Sequence, residues 1–227
     1  MRRGPPPRPE EDRVLREGTC GEEGRTGYRY LVYVPARRGR AADRLPLVLF
    51  LHGSEERGHD LSKVATHGLP RLVAEGADLP FVLLAPQLPS GRRWSVRALV
   101  ALLDDAAATW PIDPDRVSVT GLSLGGEAAW ALALFRPGRF AALATVCGGG
   151  DPSRAALLRH LPCRVYHGAN DDVVPLAESA AMVEALRAAG GDVTFIVYPD
   201  ANHAEAWERA YADPELMPFL LAARRRP

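Results

Sequence analysis

The sequence predicts an α/β protein with a mainly parallel sheet of about seven or eight strands and helices on both faces. Three observations predict it. Short apolar runs alternate with stretches of helical character along most of the chain. Those runs mostly end in Gly or Pro, as buried strands do when they leave a sheet. The polar residues with most chemical potential follow the runs directly, where such sheets collect their reactive groups.

Taken in order, "MRRGPPPRPEEDRVLREG" is charged and proline-rich, has no apolar centre, and reads as a flexible tail over 1–18. The remainder, 19–227, reads as one catalytic domain, because 227 residues are too few for two comfortable cores. "YRYLVYV" (28–34) alternates like a half-buried antiparallel strand, and the polar "PARRGRAADRLP" is its exposed exit. The runs "LVLFLHG", "FVLLAP", "RVSVTG", "ALATVCGGG", "CRVYHG" and "VTFIVYP" are the expected buried strands. Helices are expected at 61–76, 96–110, 126–136, 153–160 and from 176, where "LAESAAMVEALRAAGG" closes on glycine.

Composition narrows the function. Apolar residues make up 47% and charged residues 25%, an ordinary globular balance. With 28 acidic and 28 basic residues there is no excess positive field to hold a phosphate backbone, so no nucleic-acid partner is expected. No stretch reads as a membrane span. Cys20, Cys147 and Cys163 are odd in number and far apart, which gives neither a disulfide framework nor a ligand pattern. His59, His67 and His160 lack ligand spacing as well, so no metal and no cofactor is expected. The chain is expected to be cytoplasmic, a monomer or homodimer.

"TGLSLGGEAAW" (120–130) carries the chemistry. Gly121-Leu122-Ser123-Leu124-Gly125 lies between the strand-like "RVSVT" and the apolar "EAAWALALF", the strand, tight turn and buried helix that a nucleophile elbow requires. Glycines two residues either side of the serine are needed because a Cβ there would clash across the turn. "CRVYHGANDDVVP" then offers Asp171 and Asp172, and "VTFIVYPDANH" offers His203, each after a strand. Asp151 and Asp200 are alternative acids. His52 and His167, each before a glycine, read as loop-shaping residues.

The segments "LVLFLHGSEERG", "GLSLGG", "HGANDDVVP" and "YPDANHAEAW" together resemble the α/β-hydrolase superfamily over about 28–221. The resemblance is strongest to its small carboxylesterase and phospholipase-like branch of predicted peptidases and dienelactone-hydrolase-like proteins. It implies a serine esterase acting on small or short-acyl esters through an acyl-enzyme, with a peptidase or amidase as the alternative. A binding protein that has lost catalysis is less favoured, since all three triad members are in place. It also implies Ser123 as nucleophile, Asp171 as acid and His203 as base, with the amides of Ser54 and Leu124 as oxyanion donors. The sequence departs from the pattern at Glu55, where glycine is usual, and at Glu127, where an aromatic is common. The stretch from the elbow helix to the Asp171 strand leaves no room for a helical lid, so the site should be open. Trp94 and Trp207 are expected to wall the substrate pocket.

Overall fold

A computed structural model describes residues 15–19, 27–35 and 44–225. Its strands are β1 (Arg16–Thr19), β2 (Arg29–Tyr33), β3 (Leu45–Leu51), β4 (Val82–Gln87), β5 (Ile112–Leu122), β6 (Ala142–Val146), β7 (Cys163–Gly168) and β8 (Val193–Tyr198). They form one sheet in the order β1-β2-β4-β3-β5-β6-β7-β8. β2 is antiparallel to both neighbours, and every pairing from β4 through β8 is parallel.

Residues 16–18, within the expected tail, belong to β1. Arg16 to Thr19 pair with β2 in the register Arg16↔Val32 to Thr19↔Arg29, which corrects the tail boundary; 1–14, including the proline-rich run, lie outside the described residues. This edge strand was hidden because "REGT" has no apolar alternation and is largely exposed. Gly18 is fitted to it, since a Cβ there would meet the Tyr30 ring at 2.3 Å.

Helices α1 (Gly68–Ala74), α2 (Val96–Thr109), α3 (Leu124–Phe135), α4 (Leu176–Ala188), α5 (His203–Ala212) and α6 (Leu216–Ala222) cover the sheet. The two-residue period of the strands sorts the core into two layers. Leu47, Leu49 and Leu51 of β3 point to the layer built with α2, α3 and α4, whereas Val48 and Phe50 point to α1, α5 and α6. On that second face β5 carries two hydroxyls, each satisfied where it is buried: Ser118 donates to the Leu220 carbonyl at 2.9 Å, and Thr120 lies 3.0 Å from the Tyr211 hydroxyl.

The expected helix over 61–76 is two pieces, a 3-10 helix over 61–66 and α1, separated at His67, which is extended. Gly68 then adopts φ +60°, and its missing Cβ admits the Phe50 ring, which would otherwise stand 2.3 Å away. The stretch at 152–158 is likewise a 3-10 helix, started by Asp151, whose carboxylate accepts from the Ser153 amide and hydroxyl. α5 and α6 were not read from the sequence. Between α3 and β7 the described chain holds only β6 and that short 3-10 helix, so no inserted lid covers the carboxyl edge there.

Candidate active site

The site is built at the carboxyl ends of β5, β7 and β8. β5 runs into α3 through Ser123, whose backbone sits at φ 54°, ψ −121°, a conformation L residues seldom adopt. The turn can be that tight because two side chains are missing. A Cβ on Gly121 would lie 2.3 Å from the Gly125 carbonyl oxygen, and one on Gly125 would lie 2.0 Å from the Leu51 carbonyl oxygen. The Ser123 amide is held by the Val146 carbonyl at 2.8 Å, which ties the elbow to β6.

His203 opens α5 immediately after Asn202, which caps the helix in a capping box with Glu205. The cap fixes where the helix begins and therefore where the imidazole stands. Ser123 Oγ lies 2.9 Å from His203 Nε2, and His203 Nδ1 lies 2.6 Å from Asp171 Oδ2. An ionised carboxylate can only accept, so Nδ1 carries the proton and Nε2 is left to accept from the serine hydroxyl. Asp171 is fixed from behind, its Oδ1 accepting the Val173 amide at 3.0 Å and the Val174 amide at 2.8 Å. Burial alone would raise its pKa, but the hydrogen bonds from His203, the two amides and the Cys147 thiol hold it below the usual carboxylate value.

The structure brings Ser123, His203 and Asp171 together and leaves the other acids elsewhere. Asp172 is exposed, Asp151 caps its 3-10 helix, and Asp200 pairs with Arg209 at 2.6 and 3.1 Å on the surface. Leu124 is the first residue of α3, where backbone N–H groups lack an intrahelical acceptor. Ser54 follows Gly53, and Gly53 is packed so closely on the elbow that a Cβ would meet Leu122 Cδ1 at 2.9 Å and Ser123 Cβ at 3.5 Å. His52 shapes this loop: its Nε2 accepts from the Leu88 amide at 2.9 Å and its Nδ1 donates to the Gly53 carbonyl at 2.7 Å.

The two tryptophans part company. Trp94 packs on His52 with ring centroids 5.0 Å apart and lines a depression of about 130 Å³ beside Leu124, with Arg93, Glu127 and Ala131. Trp207, one helical turn beyond His203, is only 7% exposed and packs edge-on against the imidazole at 4.8 Å, where it supports the histidine. The depression by Trp94 shares Glu127 and Ala131 with a larger one of about 420 Å³, which extends past Leu134 and Phe135 to Arg154 and Glu178. Glu127 is held at the mouth of both by Arg93 at 2.9 Å, while Glu55 is exposed.

Sequence reasoning missed Glu56. Its side chain is 3% exposed, with His52 Nδ1 at 3.5 Å and His67 Nε2 at 3.7 Å from its carboxylate oxygens. In "GSEERG" it looks like one more solvated turn residue, so no local signal separates it from Glu55.

A profile of the dienelactone hydrolase family matches residues 89–214, which hold the elbow, Asp171 and His203. The chain belongs to the dienelactone hydrolase family. Among curated relatives, a protein of Escherichia coli (strain K12) named "Putative carboxymethylenebutenolidase" is 32% identical over 133 residues, covering 52% of this chain and 49% of that protein. The match thus spans less than half the length of the curated relatives. Among solved structures, a thermostable esterase superposes with a TM-score of 0.83 at 27% identity, covering 95% of this chain and 64% of that one. An acylaminoacyl peptidase of Pyrococcus horikoshii has a TM-score of 0.70 at 13% identity, covering 94% of this chain and 42% of that one, and shares the fold. The fold of this family member is therefore the α/β-hydrolase fold. Among the described residues no helix is long and apolar enough to cross a membrane.

Proposed function

We propose that the protein is a serine carboxylic-ester hydrolase for small or short-acyl esters, working through an acyl-enzyme on Ser123. The observation that carries this reading is the unbroken hydrogen-bond line from Ser123 Oγ through both nitrogens of His203 to Asp171. A serine hydroxyl is a weak nucleophile until a base removes its proton during attack. His203 accepts that proton at Nε2 and returns it to the leaving alkoxide. Asp171 keeps the imidazole in the reactive tautomer and stabilises the imidazolium that forms. The amides of Leu124 and Ser54 are the proposed donors to the oxyanion, each worth about 3 to 4 kcal/mol of transition-state stabilisation. Water attacks the acyl-enzyme in the second half, with His203 as base again.

Small substrates are favoured by the depression of about 130 Å³ beside Leu124, which shares Glu127 and Ala131 with one of about 420 Å³, together with the lack of an inserted element over the carboxyl edge between α3 and β7. Esters of dienelactone type fall within this class through the family membership and the curated relatives. The second reading, a peptidase or amidase, draws on the peptidase among the structural neighbours, of which this chain covers 42%. Cytoplasmic residence is part of the proposal; Cys147 and Cys163 are free thiols, compatible with a reducing compartment. The test is a series of p-nitrophenyl esters of rising acyl length beside aminoacyl p-nitroanilides. Turnover of acetyl to hexanoyl esters that falls steeply for longer chains supports the proposal, and faster turnover of the anilides replaces it with the second reading.

A further inference from the structure

Asp171 is approached by two imidazoles, and the catalytic proposal uses only one. His167, on β7, is wholly buried, as is the Asp171 side chain, and its Nε2 lies 3.2 Å from Asp171 Oδ2, the same oxygen that faces His203. That nitrogen also lies 2.9 Å from the Val174 carbonyl oxygen. Both neighbours can only accept, so Nε2 carries a proton whatever the state of the rest of the ring; that N–H bonds the Val174 carbonyl and sets its positive end beside Asp171 Oδ2. On the far side Nδ1 lies 2.7 Å from Ser179 Oγ, which in turn lies 3.2 Å from the Gly148 carbonyl oxygen. Ser179 is wholly buried on α4. The ring is thus pinned at both nitrogens between β7, α4 and the loop after β6. That loop begins at Cys147, whose backbone is held at φ 50°, an uncommon conformation for a non-glycine residue.

We infer that His167 is a positioning residue for the reaction: its Nε2–H anchors the Val174 carbonyl and lies 3.2 Å from Asp171 Oδ2, and so fixes the carboxylate that orients His203. The inference rests on the serine-hydrolase reading above. The two oxygens of the Asp171 carboxylate face different partners. Two amides from the Asp171 turn hold Oδ1, which locates the turn but leaves Oδ2 to be placed by what faces it. His203 is one such group, but it must swing its proton traffic through Nε2 at every turnover. His167 takes no part in that traffic and is locked by Ser179 and the Val174 carbonyl, so it keeps a fixed N–H dipole beside Oδ2. The titratable groups facing Asp171 are His203, His167 and the Cys147 thiol. Removing a positive dipole from beside a buried carboxylate makes it more basic and concentrates its charge on the partner that remains. A structural filler at 167 would have neither effect.

Two substitutions separate these roles, because amide side chains of different length reach different partners. The amide of His167→Asn can meet Ser179 but falls short of Asp171, whereas that of His167→Gln can present its NH2 near the position of Nε2. Kinetics with p-nitrophenyl acetate across pH, with melting curves as the folding control, are the measurement. The expected result is a kcat lowered roughly 10- to 100-fold in His167→Asn at a KM within about twofold of wild type. The acid limb of its kcat/KM profile should move to higher pH, because the less satisfied Asp171 holds a proton on His203 more tightly. His167→Gln should restore kcat to within about threefold. Near-normal kcat and an unmoved profile in His167→Asn, with Ser123→Ala inactive, would overturn the inference and leave the serine-hydrolase reading intact. Equal impairment of both variants with an unmoved profile would also overturn it, as a packing role. An active Ser123→Ala would remove the reading itself. If His167→Asn does not fold, Ser179→Ala takes its place: unpinning Nδ1 should lower kcat severalfold and move the acid limb the same way, and no change in either overturns the inference.

Discussion

Nδ1 of His203 lies 2.6 Å from Oδ2 of Asp171, while Asp172, the next residue, is exposed. The backbone after β7 turns Asp171 inward onto the Val173 and Val174 amides, and a neighbouring side chain cannot share that direction. Asp171→Asn should therefore fold and lose up to about 10⁴-fold in kcat, since an amide favours the wrong tautomer of His203 and supplies no charge. Asp172→Asn should stay within about 0.5 kcal/mol of wild-type stability and near wild-type turnover. Ester kinetics of the two variants at pH 7 to 8 decide between them; a large loss in Asp172→Asn alone would reverse the assignment.

Much of this arrangement was legible because strands and their exits have strong local signals. The buried strands β3 to β7 and the half-exposed edge strand β8 announce themselves as apolar runs, and the elbow through Gly121, Ser123 and Gly125. What escaped lacked such signals or was masked by a stronger one. β1 is polar and sits at an edge, so only its pairing with β2 defines it. α5 follows His203 with Ala206, Trp207, Ala210 and Tyr211 on one buried face, and Asn202 with Glu205 spells its capping box, but the stretch read as a loop carrying a histidine. Glu56 and the contact of His167 with Asp171 are tertiary facts: the first depends on how the loop after β3 folds inward, the second on a shared oxygen between β7 and the turn after it.

Glycine at 125 is a steric requirement that a stability measurement can expose. An alanine Cβ would stand 2.0 Å from the Leu51 carbonyl oxygen and 2.6 Å from that of His52, which α3 could relieve only by moving off β3. Gly125→Ala should cost about 3 kcal/mol or more, lowering Tm by roughly 6 to 12 °C. Gly138 has open space around its missing Cβ, so Gly138→Ala is the control and should stay within about 0.5 kcal/mol. Equal melting temperatures for the two variants would contradict the packing of the elbow against β3.

Acid should unfold the protein partly through Glu56. Burial penalises its charge, but His52, its own amide and His67 outweigh that and hold its pKa below the ordinary 4.5. A carboxylate with a depressed folded-state pKa binds protons more readily when unfolded. Its contribution is therefore complete above about 4.5 and is lost as pH falls through the lower folded value. Urea midpoints measured from pH 6 down to 3 should fall more steeply for wild type than for Glu56→Gln. Parallel slopes would mean that Glu56 is not held charged in the folded state.

The two described cysteines should be inert in the folded enzyme. Burial pushes the thiols of Cys147 and Cys163 far above their ordinary range, and Asp171 adds to the effect at Cys147. In a Cys20→Ser background, a thiol reagent such as DTNB at pH 8 should report no fast reaction until urea unfolds the chain, when two thiols appear. Rapid modification without denaturant would place one of them at the surface.

Covalent acylation of Ser123, the step on which the proposed reaction turns, is open to direct measurement. Incubation with a fluorophosphonate or an excess of p-nitrophenyl acetate, followed by acid quench and peptide mass spectrometry, should find one adduct, on the peptide carrying Ser123. The Ser123→Ala variant, melting like wild type, should carry no adduct and lose about 10⁶-fold in kcat. An adduct on any other residue, or ester turnover in Ser123→Ala close to that of wild type, would contradict the account.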